Sequence, residues 1–159
     1  MEIRKNLRIL FAVAIAVAVI DQITKTVVAT NLRLAESVPV IPGLLNLVHY
    51  RNTGAAFSIL ASSGQWKTVF LAATSVVALI IIYIVARQAK GRGRSAALGL
   101  IAGGAVGNLI DRLRFGYVVD FLDCYVGRYH WPAFNVADSA ITAGVILAFL
   151  VFCVRAGDS

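Results

Sequence analysis

Long apolar runs, broken by isolated polar groups, fill most of the chain. A helix needs about 20 residues to cross a bilayer, and four runs are long enough. They predict helices over about 8–29, 66–86, 95–113 and 136–155. "WKTVFLAATSVVALIIIYIVA" is the clearest span and "VADSAITAGVILAFLVFCV" nearly matches it, whereas the first and third runs carry charges toward their C-terminal ends. Between the runs the period changes. "LLNLVHY" alternates and predicts a strand followed by an "NTG" turn. "GYVVDFLDCYV", rich in aromatic and β-branched residues, predicts a second strand. The expected fold class is an integral membrane α-helical protein: four transmembrane helices and a small extracytoplasmic β-sheet with loops at about 30–65 and 114–135. All of it forms one membrane domain over 1–159, without internal repeats.

Composition agrees. The chain is 59% hydrophobic and 14% charged, with a mean hydropathy of +0.81, far from a soluble protein. The net charge of +7 does not imply nucleic acid, because the basic residues flank the apolar runs and read as topology signals. Arg4, Lys5, Arg8, Arg87, Lys90, Arg92, Arg94 and Arg155 all fall on one side of a four-span layout. That side is expected to be cytoplasmic, with both termini on it. Trp66, Tyr117, Tyr125, Tyr129 and Trp131 then lie near the outer interface, as an aromatic belt does. The basic N-terminus followed by an apolar run resembles a signal peptide, but "TVVA" and further spans follow it, so no cleavage is expected. Cys124 and Cys153 are placed at opposite ends and are not expected to pair.

Four of the eight acidic residues, Asp111, Asp120, Asp123 and Asp138, fall within "GNLIDRLRFGYVVDFLD" and "FNVADS". Helix rise puts Asp21 roughly 18 Å and Lys25 roughly 24 Å into the first span, and Asn108, Asp111 and Arg112 roughly 20–25 Å along the third. Asp138 begins the fourth span, and the loops add Asn52 and Asp120 at that level. Charges at such depth face a bundle interior and mark function by default. A Gly99–Gly103–Gly107 stripe allows close helix contact and turns Asn108, Asp111 and Arg112 inward. Plainer roles also fit: Asp21 and Lys25 at i, i+4 can neutralise each other, Asp111 and Arg112 can brace the bundle, Asp123 can be a solvated loop charge, and Asp138 can cap its helix. Asp120, inside the apolar "VVDF", has no such explanation. Two carboxyls sharing one proton can hydrolyse a peptide bond, one activating water and the other protonating the carbonyl or amine. His49 and His130 are far apart, each expected as an interfacial polar residue; with no HExxH, no metal is expected. A Ser58–Lys25 pair is the remaining nucleophile, though Asp21 already accounts for Lys25.

The blocks "DQITK" (21–25), "RNTGAAFS" (51–58), "GGAVGNLIDR" (103–112), "GYVVDFLD" (116–123) and "FNVADS" (134–139), in this order, closely resemble the lipoprotein signal peptidase (signal peptidase II) family, bacterial membrane aspartyl proteases. The resemblance covers nearly the whole chain. It implies an aspartic endopeptidase that removes signal peptides from bacterial prolipoproteins, cutting before a diacylglyceryl-modified cysteine. It implies Asp120 and Asp138 as the catalytic pair. Asn52, Gly54, Asn108, Arg112, Asn135 and Ala137 would bind substrate or hold the pair, with Asp111, Asp21 and Lys25 in support. It implies no cofactor, membrane lipid as surroundings, and inhibition by cyclic peptides of the globomycin type. The expected location is the bacterial inner membrane, with the active site on the extracytoplasmic side. A small ion or proton transporter is the alternative; it requires polar residues through to the cytoplasmic side, and the inner halves of the spans carry almost none.

Overall fold

The computed structural model describes residues 2–54, 65–89 and 91–153. Ser58, Lys90 and Arg155, and with them part of the "RNTGAAFS" block, lie outside the described residues. Helix α1 is Glu2–Asn31, β1 is Ser37–Ile41, β2 is Leu45–Asn52, α2 is Gln65–Gln88, α3 is Arg92–Phe115, β3 is Val118–Val126, β4 is Tyr129–His130 and α4 is Val136–Cys153. The strands form one antiparallel sheet in the order β1-β2-β3-β4.

Helix α3 is the axis of the bundle and packs against all three other helices. It manages this because its contact positions lack side chains. A methyl on Gly103 would lie 2.7 Å from the Ala14 carbonyl oxygen and from Val17 Cβ on α1. One on Gly99 would lie 2.8 Å from the Leu10 carbonyl oxygen. Gly104 meets the Ala137 carbonyl of α4 in the same way, and Gly144 of α4 meets Ala97 and Ile101 in return. Between lipid-facing helices there is no water to expel, so close backbone packing supplies the attraction. The small residues therefore bind α3 on two faces, of which the Gly99–Gly103–Gly107 stripe serves one.

Ile15, Ile80, Ile81, Phe70, Val145 and Phe149 are each more than half exposed, the signature of a belt that meets lipid. Helices α1, α2 and α3 are long and apolar enough to cross a membrane; α4 is a shorter apolar helix over its described residues. The chain is thus a helical membrane bundle with a small sheet at one end.

Strands β2 and β3 match the two predicted strands. Strand β1 was not foreseen: every residue in it is exposed, and Pro39 sits at the register shift of an edge strand, where a missing N–H costs nothing. One expectation needs correction. Asp123 is not a solvated loop charge: it sits in β3 at 6% exposure, held by Asn46 Nδ2 at 2.9 Å and His130 Nδ1 at 2.9 Å. Burial alone raises its pKa, but these two partners outweigh it and hold the carboxyl below its ordinary value. His49 is buried within the protein, and its Nδ1 meets the Leu32 carbonyl at 3.0 Å, tying the end of α1 to β2.

Replacing Gly103 by Ala drives a methyl into α1 backbone and is expected to cost about 1–3 kcal/mol, read as a lower melting temperature in detergent. Gly93→Ala meets only the Val151 side chain, at 3.2 Å, and is expected to be nearly silent. Equal melting of the two variants would show that close α1–α3 contact does not hold the bundle.

Candidate active site

The sheet-end halves of α1 and α3 each bring polar groups inward. Lys25 Nζ lies 2.8 Å from Asp21 Oδ2, one turn away on α1, and 3.0 Å from Asp111 Oδ2 on α3. It also donates to Asn108 Oδ1 at 2.9 Å. None of the four side chains is more than 5% exposed. Gln22 donates to Asp111 Oδ1 at 2.8 Å and to the Gly107 carbonyl at 3.2 Å. The two carboxylates also reach other elements: Asp21 Oδ1 accepts the Ala137 N–H at 2.9 Å, and Asp111 Oδ2, besides Lys25, accepts the Val119 N–H at 3.0 Å. The expectation that Asp111 and Arg112 brace the bundle holds, each through its own partner: α3 turns the Asp111 carboxylate toward Lys25 on α1, while Arg112 Nη1 donates to Ser75 Oγ on α2 at 3.4 Å. Arg112 remains within Coulombic reach of Asp138, Asp111 and Asp120.

Asn135 precedes α4 and acts as its N-cap. Its Oδ1 accepts the Asp138 N–H at 3.0 Å, and Asp138 Oδ2 accepts the Asn135 N–H at 3.2 Å. This is a reciprocal capping box, so the plain reading of Asp138 as a cap residue is realised in part. The same Asn135 side chain turns its Nδ2 to Asp120 Oδ1 at 2.8 Å and to the Val119 carbonyl at 3.2 Å. Asn108 Nδ2 donates to Asp138 Oδ1 at 2.8 Å. On the other flank, Asn52 Nδ2 donates to Asp120 Oδ2 at 2.9 Å. Asn52 is fixed in turn by the Gly54 N–H on its Oδ1 at 2.7 Å, an Asx-type turn that uses Gly54 at φ 75°. Three asparagine amides thus aim two carboxyls, one from β3 and one from α4. Ala137 is fully buried and contributes its backbone N–H and a side chain small enough for α3 to approach.

All eleven residues singled out in the sequence fall in or beside this network. Two members were not: Gln22, which adjoins Asp21 in the quoted "DQITK", and Ser75, whose hydroxyl is one of few polar groups along α2. Among the described residues every buried side-chain nitrogen and oxygen has a partner, and no three His, Cys, Asp or Glu side chains converge as metal ligands. Toward the opposite end, the bundle closes on apolar side chains such as Leu10, Ala14, Leu98 and Ala102.

Asp120 is 3% exposed, and burial is the main cause that pushes its pKa from 3.8 to about 6, with the charge of Asp138 adding to it. The amides of Asn52 and Asn135 and the charge of Lys25 pull the other way. Asp138 is half-buried and opens onto a groove lined by Trp131, Phe134, Ser139, Thr142 and Ile146. One carboxyl is thus biased toward the neutral form beside another with access to a cleft, the asymmetry that separates acid from base in carboxyl pairs.

A sequence model of the family described as signal peptidase (SPase) II matches residues 13–154. The chain is 52% identical over 150 residues to the lipoprotein signal peptidase of Desulforapulum autotrophicum, covering 92% of each. It is 50% identical over 149 residues to that of Geobacter metallireducens, covering 92% of this chain and 91% of the relative. Its fold superposes with a TM-score of 0.82 on a bacterial membrane enzyme solved by the in meso method, at 36% identity, covering 91% of this chain and 92% of that one.

Between pH 3.8 and about 6 the folded chain keeps an Asp120 proton that the unfolded chain has released. The raised pKa therefore lowers stability as pH rises through that window, by up to roughly 3 kcal/mol at ~1.4 kcal/mol per pH unit. Asp120→Asn removes the buried charge and is expected to melt higher than the native protein above pH 6, with the gap closing below pH 4. A variant that melts at or below the native temperature throughout would refute the raised pKa.

Proposed function

The chain belongs to the signal peptidase II family, and we propose that Asp120 and Asp138 are the two carboxyls with which it hydrolyses the signal peptide bond. It is a membrane protease of lipoprotein processing, and its spans suit a bacterial inner membrane. The observation that supports the assignment is Asn135, whose side chain donates to the Asp120 carboxyl and whose backbone N–H donates to the Asp138 carboxyl, so that two carboxyls from different elements bond to one residue.

In this reading the ionised carboxylate takes a proton from water as the water oxygen attacks the scissile carbonyl. The protonated carboxyl gives its proton to the carbonyl oxygen, forming a neutral gem-diol. The diol then collapses: the carbon–nitrogen bond breaks, one hydroxyl proton returns to a carboxylate, and the other carboxyl protonates the departing amine. Water is consumed, and an acid and an amine are released. Asn108 and Asn52 keep the carboxylate oxygens aimed, and Arg112 lies where it can offset charge on Asp138 and Asp120.

The substrate we infer is a prolipoprotein whose cysteine carries diacylglycerol. Its acyl chains would stay in lipid while the bond before the cysteine reaches the pair. The groove that runs from Asp138 along α4 offers apolar and small residues to such a segment. Globomycin-type cyclic peptides would compete for the same carboxyls. We orient the sheet end to the extracytoplasmic side and the termini to the cytoplasm, because Arg4, Lys5, Arg8, Arg87, Arg92 and Arg94 cluster at the other end.

Asp120→Asn and Asp138→Asn are each expected to cut cleavage of a synthetic diacylated prolipoprotein by about 10²–10⁴-fold or more, with the protein still folded and inserted. Near-native turnover of either would remove that residue from the pair. For the orientation, Val126→Cys and Arg92→Cys are each made in a background lacking Cys124 and Cys153. An impermeant thiol reagent added outside the membrane is expected to label position 126 and to spare position 92; the opposite pattern would invert the topology.

A further inference from the structure

The two segments at the sheet end, 30–65 and 114–135, contain four basic side chains, and all are arginine: Arg33, Arg51, Arg114 and Arg128. Three of them lie over aromatic rings. Arg128 covers Tyr129 at 5.4 Å. Arg51 covers Tyr117 at 4.8 Å and Arg114 covers Phe115 at 4.9 Å, and those two rings stack on each other at 5.7 Å and 23°. Arg51, Tyr117, Phe115 and Arg114 therefore form a continuous ladder with a cation at each end. A guanidinium stacked on a ring uses its face and keeps its in-plane N–H donors directed outward. Both arginines are exposed, and among the described residues neither forms an ion pair.

The ladder has a defined level in the molecule. Phe115 ends one membrane-spanning helix and Thr68 begins another. The Thr68 hydroxyl donates to the Gly116 carbonyl at 3.0 Å, which brings the two span ends together beside the ladder. This is the edge of the apolar belt, where lipid phosphates lie. The surroundings suit an anion: of the acids in the two segments, Asp120 and Asp123 are buried, and Glu36 turns back to the Arg33 N–H at 2.7 Å. The negative end of α3 accounts for a cation at Arg114 but not for Arg51, which comes from β2.

We propose that Arg51 and Arg114, held apart by the Tyr117–Phe115 stack, form a site for the phosphate of an anionic phospholipid headgroup. The planar forks bind phosphate oxygens in pairs, and the exposed Phe115 ring meets the glycerol region. The site is separate from the carboxyl pair and does not depend on the reading of that pair. It would seat the sheet on the membrane surface and explain why arginines occupy the side of the bundle that carries fewer positive charges.

Native mass spectrometry of the full-length protein in mild detergent, supplied with phosphatidylglycerol, phosphatidylcholine or inorganic phosphate, tests this, with melting temperature as a second readout. The native protein is expected to retain phosphatidylglycerol over phosphatidylcholine and to melt higher with it, while inorganic phosphate does neither. Arg51→Gln combined with Arg114→Gln is expected to lose that preference, at about fivefold per arginine. The double Lys variant, which keeps the charge without the fork, is expected to retain part of it. If the double Gln protein does not fold, Arg51→Gln alone is expected to show the fivefold loss. Equal retention of the two lipids by the native protein, an unchanged preference in the Gln variants, or an equal effect of inorganic phosphate would overturn the proposal.

Discussion

One ammonium group, on Lys25, is buried to 3% exposure within a membrane span, and the rest of the site is arranged around it. An unpaired charge there costs several kcal/mol, so it must have counter-charges, and they come from Asp21 and Asp111. Two carboxylates on one ammonium leave an excess negative charge and free lone pairs. Gln22, the Ala137 N–H and the Val119 N–H satisfy these. Each of those donors belongs to a different part of the fold: α1, the first turn of α4, and β3. Neutralising a single cation therefore fixes the positions of three helices and the sheet at one level.

The carboxyl pair is placed by the same constraint, one bond further out. Asn108 is held by Lys25 and passes its amide to Asp138. Asn135 is held by the helix start and by the Val119 carbonyl and passes its amide to Asp120. The acids that balance Lys25 serve structure, and among the described residues Asp120 forms no ion pair. Its burial then favours the neutral form and costs stability once the group ionises. The glycines make this possible: without Gly107, a methyl would sit 2.5 Å from Asp21 Oδ2 and the polar layer could not close.

How much of this was legible in the sequence depended on range. The four helices and strands β2 and β3 follow from hydrophobic runs and alternation, which are local. Depth by helix rise brought Asp21, Lys25, Asn108, Asp111 and Asp138 to one level, because a membrane converts sequence position into height. Partner choice was legible within one helix, where i, i+4 spacing pairs Asp21 with Lys25, and not between elements. That Asp111 and Arg112 brace the bundle follows from their depth, but the rotation of α3 that sends one to Lys25 and the other to Ser75 does not. Asp123 read as a loop charge because its partners, Asn46 and His130, lie on neighbouring strands whose register no local pattern fixes. Strand β1 was missed because an exposed edge with a proline has no alternation to detect. Depth alone does not separate Asp120 from Asp111; the apolar setting of Asp120 and the family blocks are what single it out.

The central claim is that Asp120 and Asp138 act as a pair with a proton held on Asp120 to about pH 6. Infrared difference spectroscopy of the purified protein in an ester-free detergent follows the carbonyl stretch of protonated carboxyls directly. The band is expected to disappear as pH rises through about 6, to be absent in Asp120→Asn, and to shift its midpoint downward in Asp138→Asn, where the neighbouring charge is gone. A midpoint in the ordinary carboxylate range, or one that Asp138→Asn leaves unmoved, would contradict the pair.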